Sequence, residues 1–129
     1  MYKAVIDASA LLAFLKDESI PLDELEFLLP KSIISSINAC EVATVMLRLG
    51  APIETIEGLI TETLGNIVPF DIDHYLLAAN LWKTTKSLGL SLGDRACLAL
   101  ALKMKLPVYT ADKIWSKIKI KNLEVKLIR

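Results

Sequence analysis

Short apolar stretches suited to buried strands alternate with longer stretches of helical spacing along these 129 residues, and hairpin signals are almost absent. That alternation implies an α/β fold whose mostly parallel sheet is covered by helices on both faces. A chain of this length fits one domain, residues 1–129, large enough to bury a core. No linker, internal repeat or low-complexity segment interrupts it.

The elements follow in order. YKAVID reads as a buried strand with Asp7 at its end, and ASALLAFLK behind it has alanine and leucine at helical spacing. PLDELEFLL carries proline at a helix start with acids in the first turn, and SIISSI is a second strand candidate. Asn38 is placed to cap a helix over ACEVATVMLRL that Gly50 ends, with Glu41 in its first turn. PIETIEGLITETL is a further helix, NIVPF a third strand, and DHYLLAANLWKTTKSL one long helix closed by Gly89. SLGDRACLALALK then opens another helix, PVYT is a fourth strand with Asp112 just beyond it, and LEVKLI is the last strand.

Composition narrows the function classes. The hydrophobic share is 53% and mean hydropathy +0.47, yet charges cut every apolar run before membrane-spanning length. The excess of apolar residues therefore points to a surface covered by a second protein chain, as in an oligomer or a partner complex. MYKAVID lacks an apolar stretch with a cleavage site, so a cytoplasmic location is expected. Cys40 and Cys97 stand apart within helical patterns and are expected to be small core residues. Fifteen basic and fifteen acidic residues cancel, but locally they segregate. Asp17, Glu18, Asp23, Glu24 and Glu26 gather early; Lys113, Lys117, Lys119, Lys121, Lys126 and Arg129 gather at the end. The basic end suits either phosphate contacts or a solvated edge strand protected by lysine.

One acid is out of place. Asp94 lies in phase with Cys97, Leu98 and Ala101, on the stripe of its helix that ought to be buried, and a buried carboxylate needs a partner. In parallel sheets, ligands bind beyond the C-terminal ends of the strands, beside the N-termini of the following helices. Asp7 and Asp112 follow strands while Glu41 and Asp94 open helices, so all four project toward that edge. Singly, each acid is explained as a helix cap. Together, with only Arg95 and Lys113 as nearby cations, they would repel unless protonated or holding cations. Oxygen-only donors suit hard ions such as Mg²⁺ or Mn²⁺ rather than Zn²⁺. Such an ion fits phosphodiester hydrolysis. Ser9 and Thr110, each two residues from an acid, are placed to orient carboxylates or metal-bound water, or else to serve as a helix cap and a plain strand residue.

Other catalytic designs find less support. His74, the sole histidine, reads as a surface or capping residue at a helix start, and Ser9 has no GxSxG around it. Neither GxGxxG nor GxxxxGK[ST] occurs. Trp82 and Trp115 are expected in core or interface packing rather than stacked on bases.

VIDASALLAFL, ISSINACEVATVMLRLG, LSLGDRACLALALK and LPVYTADKIW, in that order and spacing, resemble the PIN domain, in particular VapC-type toxins of bacterial toxin-antitoxin pairs. The resemblance covers nearly the whole chain. It implies a PIN-like three-layer fold and a Mg²⁺- or Mn²⁺-dependent endoribonuclease with the acidic quartet Asp7, Glu41, Asp94 and Asp112. It also implies a homodimer and a small antitoxin that wraps an apolar groove and blocks the acidic cleft. Two other classes compete: a receiver-like signalling domain with an acidic Mg²⁺ site, and a PIN-like scaffold that binds RNA or protein without cutting. A receiver would carry adjacent acids after its first strand, where Asp7 has no acidic neighbour.

Overall fold

The apolar run after Lys3 folds as β1, Ala4–Ile6, whose residues are fully buried. In the computed structural model, which describes residues 1–16 and 22–128, β1 is the middle of a five-stranded sheet. It is joined by β2 (Ser32–Ser35), β3 (Asn66–Val68), β4 (Val108–Thr110) and β5 (Val125–Leu127), in the order β3-β2-β1-β4-β5. Every neighbouring pair is parallel, with Val5 opposite Val108 and Ile33 opposite Asn66. Winding reverses between β1 and β4, which places the ligand crevice of an open parallel sheet at their C-terminal ends. A receiver-type sheet runs 2-1-3-4-5 instead, so the signalling alternative does not match this topology.

The helices are α1 (Ala8–Leu15), α2 (Leu22–Leu28), α3 (Ser36–Arg48), α4 (Ile53–Thr63), α5 (Tyr75–Asn80), α6 (Trp82–Thr85) and α7 (Leu92–Met104). Strand alternation divides the core between the two faces. Ala4, Ile6, Ile34 and Tyr109 pack with residues of α1 to α4, including Leu11, Val42 and Ile56. Val5, Ile33 and Val108 pack on the other face with Ala78, Leu98, Leu100 and the fully buried Trp115. These are the three layers expected. Among the described residues no helix is long and apolar enough to cross a membrane.

Several local expectations change. Helix α3 begins three residues before Ala39, because Ser35 rather than Asn38 caps it, accepting from the Ile37 amide at 3.3 Å. Gly50 does follow the helix in a left-handed conformation, φ 93°. The single helix expected over residues 73–88 is broken into α5, α6 and a 3-10 turn, Lys86–Leu88. At this break the Thr84 and Thr85 hydroxyls both donate to the Leu81 carbonyl, at 3.2 and 2.8 Å. Cys97 is buried but Cys40 is exposed, because it lies off the α3 stripe of Asn38, Ala39 and Val42. His74 takes the N-cap position of α5 without a side-chain capping bond, but it is not a surface residue: it is buried edge-on against Phe70, centroids 6.2 Å apart. Trp82 is half exposed, with Lys86 Nζ 4.9 Å from its ring centroid. Asp17, Glu18, the Pro21 helix start and Arg129 lie outside the described residues.

Candidate active site

Asp7 ends β1 and caps α1, its Oδ1 accepting from the Ala10 amide at 2.9 Å. The Ser9 hydroxyl lies 2.8 and 3.0 Å from its two carboxylate oxygens, and the Thr110 hydroxyl donates to Oδ2 at 2.7 Å. Those hydroxyls are themselves oriented from the end of β4, because the Ala111 amide donates to Ser9 and the Asp112 amide to Thr110, at 2.9 and 3.0 Å. The two hydroxyl oxygens lie 3.2 Å apart, and because an ionised Asp7 can only accept, each hydroxyl donates to it when Asp7 is charged. Ser9 is therefore not the helix cap, and Thr110 serves Asp7 rather than the carboxylate of Asp112. Asp7 is 4% exposed. Burial raises its pKa from 3.8 to about 6; the Ala10 amide, Thr110 and Ser9 oppose that shift, and the charge of Asp94 adds to it.

Glu41 and Asp94 approach from two helices. Because α3 starts early, Glu41 falls in its second turn, one turn beyond Asn38, whose amide donates to Glu41 Oε1 at 2.8 Å and to the Gly93 carbonyl at 2.9 Å. Asp94 sits in the first turn of α7 and forms a capping box with Ser91: the Ser91 amide donates to Asp94 Oδ2 at 2.9 Å, and the Asp94 amide to Ser91 Oγ at 3.2 Å. The acid on the apolar stripe is thus only partly buried, and one of its oxygens is used by the cap. One turn further, the fully buried Cys97 thiol is pushed well above its ordinary range, by burial first and then by Asp7, Asp94 and Glu41. Three of the four acids therefore share one charged neighbourhood.

Asp112 stands apart. It is exposed, its Oδ1 caps the 3-10 turn Lys113–Lys117 through the Ile114 amide at 3.1 Å, and it does not figure among the charges acting on Asp7 or Cys97. Arg95 donates through Nη1 to the Ala78 carbonyl at 3.0 Å. Among the described residues the one ion pair is Lys126 with Glu124, so none of the four acids has a cationic partner. No three of the described His, Cys, Asp or Glu side chains stand close enough together to hold an ion as they are oriented. The donor set nevertheless suits a hard cation: every donor is oxygen, and Glu41 Oε2, Asp94 Oδ1 and Asp112 Oδ2 receive no hydrogen bond from the described residues. Asn38 and Gly93 are the site residues that the sequence reading missed; the three-residue spacing of Asn38 and Glu41 on one helix face was the available signal.

The profile of the PIN domain family matches residues 4–121. No curated protein matches the chain. The fold is similar to that of the DNA-bound VapBC of Salmonella typhimurium, with TM-score 0.78 and 16% identity over 100% of both chains. It is also similar to VapBC2 of Rickettsia felis bound to a promoter DNA fragment, with TM-score 0.73 and 17% identity over 96% of this chain and 97% of that one. VapC20 of Mycobacterium tuberculosis, a sarcin-ricin loop cleaving toxin, gives TM-score 0.75 and 13% identity over 95% of this chain and 99% of that one. With 4–121 matched, Asp7, Glu41, Asp94 and Asp112 all lie inside the recognised span, and the chain belongs to the PIN domain family.

Proposed function

We propose that this chain is a Mg²⁺- or Mn²⁺-dependent endoribonuclease, acting in the cytoplasm as the toxin of a toxin-antitoxin pair. The observation that carries this reading is Asp7: a buried carboxyl without an ion pair among the described residues, beside Asp94, at the point where the sheet reverses its winding. Asp7, Glu41, Asp94 and Asp112 would hold the ion. Bound there, the ion supplies an activated water and neutralises charge on the phosphoryl oxygens.

The chain's own residues prepare that site. Ser9 and Thr110 hold both oxygens of Asp7 in place, and the β4 amides hold the hydroxyls. A carboxyl that titrates near 6 is ionised at neutral pH, so little proton displacement opposes a cation, while its repulsion with Asp94 favours one. The capping box fixes Asp94 at the helix end while leaving Oδ1 free of hydrogen bonds from the described residues. Lys113, Lys117, Lys119 and Lys121 are exposed beyond Asp112 and would track RNA phosphates.

The partner reading is supported by similarity to VapBC complexes and by the large apolar side chains left exposed, among them Phe27, Leu49, Ile72 and Leu76. A small antitoxin and a second copy of the chain would cover such surfaces. Incubating the purified chain with single-stranded RNA tests the enzyme: cleavage is expected in Mg²⁺ or Mn²⁺ and none in EDTA. Persistent cleavage in EDTA, or intact RNA in both metals, contradicts the proposal. The non-cleaving scaffold predicts intact RNA throughout. Expression in cells is expected to arrest growth, and co-expression of the cognate antitoxin to restore it.

A further inference from the structure

Two residues in the wall of the site are unfavourable choices for the fold alone. Asn38 is 1% exposed and donates from Nδ2 to Glu41 Oε1 and to the Gly93 carbonyl. Both partners are acceptors, so the amide nitrogen must face them. Its Oδ1 is then buried without a partner, which an apolar residue of the same size would avoid. Gly93 lies in the first turn of α7, where alanine is the better helix former, and it does not adopt the positive φ that would require glycine. What the absent side chain provides is space: a Cβ built at Gly93 would collide with Glu41 Oε2 and lie 2.6 Å from Glu41 Oε1 and Cδ.

Both choices converge on one carboxylate. We infer that Asn38 and Gly93 are positioning residues that hold Glu41 against the N-terminal turn of α7, beside Asp94, so that it is presented to a divalent cation. Asn38 pulls the carboxylate toward α7 and ties α3 to that helix through the Gly93 carbonyl; Gly93 leaves the gap that the carboxylate fills. The inference rests on the metal-dependent reading above and adds to it how the acid from α3 is placed.

The test is Mn²⁺ affinity by calorimetry, together with the melting temperature in EDTA, for the full chain and for Gly93→Ala, Asn38→Leu, Glu41→Gln and the double variant Gly93→Ala with Glu41→Gln. Gly93→Ala displaces only the far end of a flexible side chain, so its melting temperature in EDTA should be at or above the parent's. Its Kd for Mn²⁺ should rise about 10- to 100-fold, as should that of Asn38→Leu, which is the usual cost of losing a group that orients a metal ligand. In the Glu41→Gln background, Gly93→Ala should cause no further loss, because the effect passes through Glu41. A Kd within twofold of the parent for Gly93→Ala and Asn38→Leu, with Glu41→Gln weakened, overturns the inference and leaves the metal site standing. A full further loss in the Glu41→Gln background also overturns it. Unchanged affinity in Glu41→Gln itself removes Glu41 from the metal site, and the positioning role goes with it.

Discussion

Asp7 and Asp112 occupy the same place in the local grammar of the chain: each follows a strand and caps the helical turn after it. Their surroundings differ in every other respect. Asp7 is buried, meets two hydroxyls and an amide, and feels Asp94; Asp112 is exposed and meets one amide. The cap is thus a common frame, and burial decides which carboxylate stores repulsion that a cation can relieve. Asp94 combines both settings: one oxygen serves the Ser91 amide as a cap, and its charge still reaches Asp7.

The largest expected effect comes from Asp7→Asn. Cleavage should fall at least about a hundredfold, while the metal-free protein should gain roughly 1–3 kcal/mol at pH 7.5, since a unit of pKa shift is worth about 1.4 kcal/mol. The pH dependence has a definite sign. The folded pKa is raised from 3.8 to about 6, so the folded state binds the extra proton and the parent is favoured at low pH. In EDTA the parent should lose stability relative to Asp7→Asn as pH rises from about 4 to about 6, and the difference should be flat above that. Denaturant melts across this range check both statements; a difference independent of pH contradicts the burial account.

Next in size is Asp94→Asn, which keeps a good cap and removes one charge acting on Asp7. Its melt in EDTA should improve by about 1 kcal/mol, the order expected for like charges in a partly screened setting, and most of its response to Mg²⁺ should vanish. Retained cleavage with the parental response to Mg²⁺ would return Asp94 to the role of a cap alone. Replacing Lys117, Lys119 and Lys121 together by Ala should lower the slope of log affinity for single-stranded RNA against log salt by about 2, at about 0.7 per phosphate contact. An unchanged slope assigns those lysines to a solvated edge. Asp112→Asn closes the series: stability should stay within about 0.5 kcal/mol, because Asn caps as well as Asp. Its cleavage should fall less than that of Asp7→Asn; an equal loss would erase the contrast between the two acids.

Much of this contrast was legible beforehand, and the rest was not, for physical reasons. Apolar runs such as AVI and VYT could only be buried strands in an alternating α/β chain, so the acids after them fell at one sheet edge without any knowledge of contacts. Their unequal burial follows spacing that the motif does not reveal: Asp7 directly follows the central strand β1, whereas Ala111 separates Asp112 from β4. Ser35 and Asn38 are both good caps by residue type, and only the earlier one caps α3, which frees Asn38 to cross to α7. The break at Leu81 is not visible in the sequence, because helical periodicity runs on through residues 73–88. A lone polar His74 at a helix start suggests a surface or capping residue, whereas the side chain is buried against Phe70.

The central claim, that Asp7 anchors a divalent metal site, is tested most directly by the Mn²⁺-induced change in melting temperature of the parent and of Asp7→Asn at pH 7.5. At an ion concentration about a hundred times Kd, binding to the folded state alone stabilises by about 2.7 kcal/mol, so the parent should melt several degrees higher than in EDTA. Asp7→Asn should melt at nearly the same temperature with and without Mn²⁺. Equal upward shifts in the two proteins, or no shift in the parent at saturating Mn²⁺, would contradict the account.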